Sequence, residues 1–330
     1  MEDRLTENTV NIGTAGRRPV KKAASALSAD GRAIKKAVVM GPTGAIGTAL
    51  AGALAARGIS VLALCRKDSA RIGAIPVDPM IQVGYCSLKE MSIYQPDESD
   101  YDAFFHLGWA GTTGAARNDA ALQAENIRYT LDAVGLAQRF GCKVFVGAGS
   151  QAEYGRVEGE LTPDTPAFPE NGYGIAKLAA GSLSRLRAAQ LGMAHIWIRV
   201  LSVYGPNDTA GSLISMLLRT LKAGGVPQLT KGEQIWDYLY SGDAAEAFIA
   251  AAHRGRNGGV YVLGSGKGRP LREYAETLRD IAAPGAALEI GAVPYGEKQV
   301  MHLVADVSDL TRDTGWEACT SFDEGIRSML

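Results

Sequence analysis

From Lys36 onward, short apolar runs alternate with longer stretches whose apolar positions recur at helical spacing. The runs Ala37–Met40, Ile59–Leu64, Ile81–Val83, Tyr101–Leu107, Lys143–Val146 and His195–Leu201 predict six strands. Between the first two, residues 45–57 carry Ile46, Leu50 and Leu54 at i, i+4 and i+8 and stop at Gly58, as a helix closed by glycine does. Further long helices are predicted over 121–140 and 173–192. Such alternation predicts an α/β fold, a parallel sheet with crossover helices. Past residue 200 the alternation loosens. A helix near 212–223, a strand Val260–Leu263, a helix from about Leu271 and loops rich in Gly and Pro predict a smaller lobe. Residues 1–35 show no sustained apolar period and are expected to form a disordered tail. Acidic Glu2, Asp3 and Glu7, with no apolar run, argue against an import leader there. The expected division is therefore tail 1–35, sheet domain 36–200 and second lobe 201–330.

Composition removes several function classes. At 46% hydrophobic and 21% charged the chain is globular, and its longest apolar runs fall far short of the ~20 residues of a spanning helix. Thirty-four basic and thirty-five acidic residues leave a net charge of −1, so no global field attracts nucleic acid or an anionic membrane. Cys65, Cys86, Cys142 and Cys319 stand far apart without metal-ligand or disulfide spacing. Reduced thiols, a cytoplasmic location and no metal site are expected. Glycine is the skewed count, 40 residues or about 12% against a usual ~7%.

The glycines concentrate where chemistry would need them. Gly41-Pro42-Thr43-Gly44-Ala45-Ile46-Gly47 joins the first strand to the first helix with GxxGxxG spacing. The first glycine makes the tight turn, the second admits a pyrophosphate, and the third lets helix and strand pack closely. Free N–H groups and the positive dipole end at the helix start then face the phosphates. This context predicts a dinucleotide site on a Rossmann-type, doubly wound parallel sheet. Strand two ends Leu64-Cys65-Arg66-Lys67, without the carboxylate that would hold the adenosine ribose of NAD(H). Arg66 suits a 2′-phosphate, so NADP(H) is the favoured expectation. Asp68 next door keeps NAD(H) open.

Tyr173-Gly-Ile-Ala-Lys177 sets a phenol and an ammonium one turn apart on a helix face. A lysine charge there would favour the phenolate and allow proton exchange with a carbonyl or hydroxyl. Ser150 follows strand five, at the end of the sheet where open parallel sheets bind ligands, and could orient the reacting oxygen.

These motifs together resemble the extended short-chain dehydrogenase/reductase family of NAD(P)-dependent nucleotide-sugar epimerases, dehydratases and reductases, from about Lys36 to the C-terminus. The resemblance implies Ser150, Tyr173 and Lys177 as the catalytic set, with Lys177 also holding the nicotinamide ribose. It implies cofactor contacts from Gly41, Thr43, Gly44, Ala45, Ile46, Gly47, Arg66, Leu107, Gly108, Trp109, Asn126 and Lys177. Residues 201–330 would form a C-terminal substrate-binding lobe, with a segment near 234–264 returning to the cofactor domain. Substrate contacts are expected from Gln151, Ser202, Trp236 and Lys298, although Trp236 and Ser202 depart from the family's usual Arg and Asn. Dehydration is disfavoured, because Gln151 and Ala152 stand where dehydratases carry an acidic pair. Glu153, His106 and His195 are read as structural. The expected activity is NADPH-dependent reduction of a 4-keto-6-deoxyhexose nucleotide sugar. An NAD-dependent nucleotide-sugar 4-epimerase is the alternative, and a non-catalytic NADP-sensing protein a further one. A homodimer through the helices near 121–140 and 173–191 is implied as well.

Overall fold

A computed structural model describes residues 34–330. The expected tail lies outside the described residues except at Ile34 and Lys35. These two already belong to the fold: Ile34 is buried in the core, and the Lys35 N–H donates to Asp102 at 2.7 Å.

Seven strands form one parallel sheet: β1 (Lys36–Met40), β2 (Ser60–Cys65), β3 (Ile81–Tyr85), β4 (Ala103–His106), β5 (Val144–Ser150), β6 (Ala194–Val200) and β7 (Val260–Leu263). Their order is β7-β6-β5-β4-β1-β2-β3, with the first turn of the chain beside the point where the order reverses. Apolar residues point both ways from each inner strand. Val39, Phe105, Val146 and Ile198 pack against α1 (Ala45–Ala55) and α5 (Ser241–Arg254). Val38, Met40, Phe104 and Phe145 pack beneath α2 (Ala120–Arg139). A sheet buried on both faces needs such apolar runs, and they are why the strands were legible. Helix α3 (Gly172–Gln190) runs alongside α2 and against β5 and β6.

The remaining elements gather at the strands' carboxyl end. Helices α4 (Leu213–Lys222), α6 (Leu271–Ala282) and α8 (Phe322–Arg327) enclose a second core around Tyr204, Tyr274 and Phe322. Short strands at Glu160–Leu161, Ile235–Trp236, Arg269–Pro270 and His302–Ala305 make a small sheet beside it. Asp237 ties this sheet to the end of β7. Fully buried, it accepts from the Ser265 N–H and hydroxyl, both at 2.6 Å, and from the N–H groups of Gly266 and Ala305. Asp243, at the start of α5, likewise holds Cys319 and Thr320, and α7 (Ser308–Thr314) packs on α5. Among the described residues no helix is long and apolar enough to cross a membrane.

Candidate active site

The glycine turn has the shape a pyrophosphate requires. Gly41 has φ +88°, and a Cβ there would sit 2.8 Å from the Gly108 nitrogen, so only glycine lets the turn pass under the loop after β4. At Gly47 a Cβ would lie 2.3 Å from the Gly41 carbonyl oxygen, which is how closely α1 seats on the turn. Gly44 differs, since nothing stands within 4 Å of its Cβ position. The first intrahelical bond is Thr48 N–H to the Gly44 carbonyl, and no side chain caps α1. The N–H groups of Ala45, Ile46 and Gly47 therefore emerge at an open, glycine-lined surface. Such an opening has room for a dinucleotide, which these amides and Thr43 could hold.

The loop after β4 is held by α2. The Asn126 side chain accepts from the Ala110 N–H at 3.0 Å and donates to the Ala110 carbonyl at 2.9 Å. Gln123, one turn earlier, accepts from Trp109 Nε1 at 3.0 Å and donates to the carbonyls of Gly111 and Ala116. Asn126 thus shapes the path of Leu107, Gly108 and Trp109. Sequence reasoning missed Gln123, whose one signal was a second carboxamide three residues before Asn126 on a face otherwise apolar.

Ser150, Tyr173 and Lys177 meet where β5 ends against α3. Ser150 is the last residue of β5 rather than part of the following loop. Its hydroxyl oxygen accepts from the Ala152 N–H at 3.2 Å, which leaves its O–H free to donate. Lys177 is buried and donates through Nζ to the Ala148 carbonyl at 2.6 Å, with the Trp109 ring 3.8 Å away. Burial pushes its pKa down to about 7, against the opposing charge of Glu153. The Tyr173 ring meets the edge of Trp109 at 5.9 Å and lies under the Arg117 guanidinium at 4.2 Å. Burial raises the Tyr173 phenol above its ordinary value, while the Ser150 hydroxyl and the Arg117 charge draw it back. Lys177 Nζ lies 5.8 Å from the ring centroid, farther than Arg117, a residue with no sequence signal.

Glu153 is fully sequestered. It accepts from the Ser150 N–H at 2.8 Å, Trp197 Nε1 at 3.0 Å and Arg199 Nε at 2.8 Å, and its structural reading holds. His195 is a buried core histidine as expected, its Nε2 bonded to the Ser184 hydroxyl at 2.9 Å, whereas His106 is equally buried but, among the described residues, has no hydrogen-bond partner on either ring nitrogen. Gln151 opens the short turn after β5, half-buried. Ser202 and Trp236 are brought together, Trp236 Nε1 donating to the Ser202 hydroxyl at 2.8 Å. Lys298 is exposed, near enough to Glu170 to lower its pKa after the larger effect of Arg156. Among the described residues no cluster of His, Cys, Asp or Glu is placed to hold a metal ion.

Residues 37–264 match the NAD dependent epimerase/dehydratase family. Curated relatives include two CDP-abequose synthases. That of Salmonella muenchen is 30% identical over 40% of this chain and 46% of its own length. That of Salmonella typhimurium is 23% identical over 89% of this chain and 96% of its own. Among solved structures, the UDP-N-acetylglucosamine 4-epimerase of Methanobrevibacter ruminantium superposes with a TM-score of 0.79 at 20% identity, covering 89% of this chain and 98% of that one.

The preference for NADP(H) is corrected by the similar structures, more of which are NAD complexes than NADPH complexes. The Bacillus cereus UDP-glucuronic acid 4-epimerase (TM-score 0.76), Bordetella bronchiseptica WbmG (0.75) and Thermus thermophilus UDP-glucose 4-epimerase (0.77) are NAD complexes, whereas RMD of Pseudomonas aeruginosa (0.73) is an NADPH complex. The physical reason lies at the end of β2. The Arg66 side chain is 65% exposed and has Asp68 4.0 Å away, an arrangement that does not by itself select a 2′-phosphate. A family match that runs unbroken from the glycine turn through Ser150, Tyr173 and Lys177 to the end of β7 leaves one reading of this corner: the chain belongs to the NAD dependent epimerase/dehydratase family, the extended short-chain dehydrogenases/reductases.

Proposed function

We propose that the protein is an NAD-dependent 4-epimerase of a nucleotide sugar. The observation that carries this reading is the junction of β5 and α3, where the Ser150 hydroxyl, the Tyr173 phenol and the Lys177 ammonium share one corner. With its pyrophosphate on the glycine turn, NAD would supply a reversible hydride acceptor. Tyr173 removes the hydroxyl proton as the sugar carbon becomes a carbonyl, and returns it when the turned sugar takes hydride on its opposite face and the alcohol re-forms inverted. Ser150 donates to that same oxygen throughout. Lys177 has donors to spare beyond Ala148 and holds the ribose next to the reacting carbon.

Glu153 supports redox exchange over dehydration. The nearest carboxylate is occupied by three donors, and Gln151 and Ala152 offer no acid or base in its place. The names of similar proteins support an epimerase over the reductase expected first: they include UDP-arabinose 4-epimerases of Arabidopsis thaliana and the UDP-glucose 4-epimerase of Corynebacterium glutamicum. Ser202, Trp236 and Lys298 would face the sugar nucleotide from the 201–330 lobe, and Gln151 from the turn after β5. A homodimer across α2 and α3 completes the reading, supported by Ile175, Leu183 and Leu186, exposed on α3.

The test is release of nucleotide from denatured protein, followed by proton NMR of UDP-, dTDP- and CDP-hexoses incubated with native protein. Stoichiometric NAD and inversion at C4 without net cofactor consumption are expected. Tyr173→Phe should retain NAD and slow inversion by about 10²–10⁴-fold. An empty site that consumes reduced cofactor with a 4-keto sugar would make the protein a reductase.

A further inference from the structure

The electrostatics of Tyr173 are incomplete if only its own helix is considered. Its neighbours are Ser150 from β5, Glu153 from the turn after it, Trp109 from the loop after β4, Lys177 one turn along α3, and Arg117 from the short helical turn Gly114–Asn118. Glu153 opposes the phenolate, and Ser150 and Arg117 favour it. Lys177 is the more distant cation, and its own charge is disfavoured by burial.

Arg117 is held in place by contacts that leave its charge unneutralised. Its NH1 donates to the Thr112 carbonyl at 2.9 Å. The next residue, Asn118, accepts the Gly172 N–H at 3.0 Å, which fastens this turn to the start of α3 one residue before Tyr173. A Cβ at Gly172 would lie 3.0 Å from the Arg117 carbonyl oxygen, so the close approach favours glycine. From the other side Gln123 binds the carbonyls of Gly111 and Ala116. Among the described residues no carboxylate pairs with Arg117 within ion-pair distance. Its charge is thus directed at the face of the Tyr173 ring without being neutralised locally. A cation over an aromatic face is attracted by the ring, and more strongly by a phenolate.

We propose that Arg117 is a positioning residue for Tyr173, stacked on its ring by the 111–118 loop so that the phenol gives up its proton nearer neutral pH and stays aligned with Ser150. This deepens the proposed function, in which Tyr173 exchanges the proton. The test does not depend on turnover. Protein labelled throughout with fluorotyrosine, whose hydroxyl is intrinsically more acidic, is titrated by ¹⁹F NMR, and Tyr173→Phe assigns the resonance. In Arg117→Met the Tyr173 midpoint should rise by about one pH unit, and in Arg117→Lys, which keeps the positive charge, most of the shift should be recovered. A Met midpoint within about 0.2 unit of the parent, or a Lys variant that behaves like Met, would overturn the proposal. If Arg117→Met gives no dispersed spectrum, Arg117→Gln takes its place with the same two readings. A shifted midpoint in a protein that inverts no hexose would uphold the role of Arg117 and sink the epimerase reading, so the two fail separately.

Discussion

Lys177 is the residue at which function and stability pull apart. An ammonium enclosed by protein, with one carbonyl partner at 2.6 Å and an aromatic face at 3.8 Å, has exchanged most of its hydration for few contacts. Its pKa falls from 10.5 to about 7 for that reason. The unfolded chain binds the proton throughout that interval and the native chain does not, so this group makes native stability rise with pH between about 7 and 10.5. Lys177→Met should therefore slow turnover by about 10²–10³-fold while leaving the thermal midpoint at neutral pH unchanged or higher. It should also flatten the rise in stability across that window, which thermal melts at a series of pH values would check. The YxxxK spacing made this pair legible in the sequence, because i and i+4 share a helix face. Arg117 was not legible, since a lone arginine in a Gly- and Ala-rich stretch carries no period and no motif.

At the scale of elements, the turn between β1 and α1 does two separable jobs. Gly47 is a packing position, for a Cβ would strike backbone at Gly41 and at Pro42, neither able to move as a side chain could. Gly44 is an approach position, with open space where a Cβ would go. Gly47→Ala should lower the melting temperature and abolish NAD retention, whereas Gly44→Ala should melt near the parent and still bind NAD more weakly. Melting curves with and without added NAD distinguish the two, and equal destabilisation by both would refute the division. Elements with a regular apolar period were recovered within a few residues, as at α1, α2 and α3. β5 was read short because Gly147 and Gly149 interrupt its apolar run. Both glycines make room for Trp197, whose ring atoms would lie 2.3 Å and 2.4 Å from their Cβ positions. Helix α5, most of whose residues are buried against the sheet and α1, was missed in the sequence. Two-residue strands such as Ile235–Trp236 have no sequence period at all.

Across the whole molecule, the buried histidines govern the response to acid. Burial lowers His106 to about 3 and His195 to about 4, with smaller effects from Lys177 and Arg185 respectively. His106 has no hydrogen-bond partner on either ring nitrogen. Both rings are neutral in the native protein and protonate readily once unfolded. Their contribution is complete above pH 6.5 and is lost as pH falls toward those depressed values. The slope should approach about 1.4 kcal/mol per pH unit for each histidine. Urea midpoints measured from pH 7 to pH 4 should fall accordingly, and less steeply in His106→Phe. A variant with an unchanged slope would mean that carboxylates carry the acid response instead.

Local chemistry settled much of this protein in advance. Apolar runs long enough to be covered on both faces dictated a parallel sheet, glycines at three-residue spacing dictated a turn open to phosphates, and helical periodicity put Tyr173 and Lys177 on one face. Each of these depends on residues near one another along the chain. Other features depend on residues far apart, and only the tertiary structure decided them. Glu153 is occupied by Trp197 and Arg199 from β6, so it is not available as an acid. Arg66 lies in solvent beside Asp68, so the apparent preference for a 2′-phosphate does not follow from its charge. Arg117 reaches Tyr173 across more than fifty residues of chain, because Asn118 and Gly172 bring the 111–118 loop against the start of α3. Burial and the approach of distant charges set the ionisation of the site, and neither has a signature in the order of the residues.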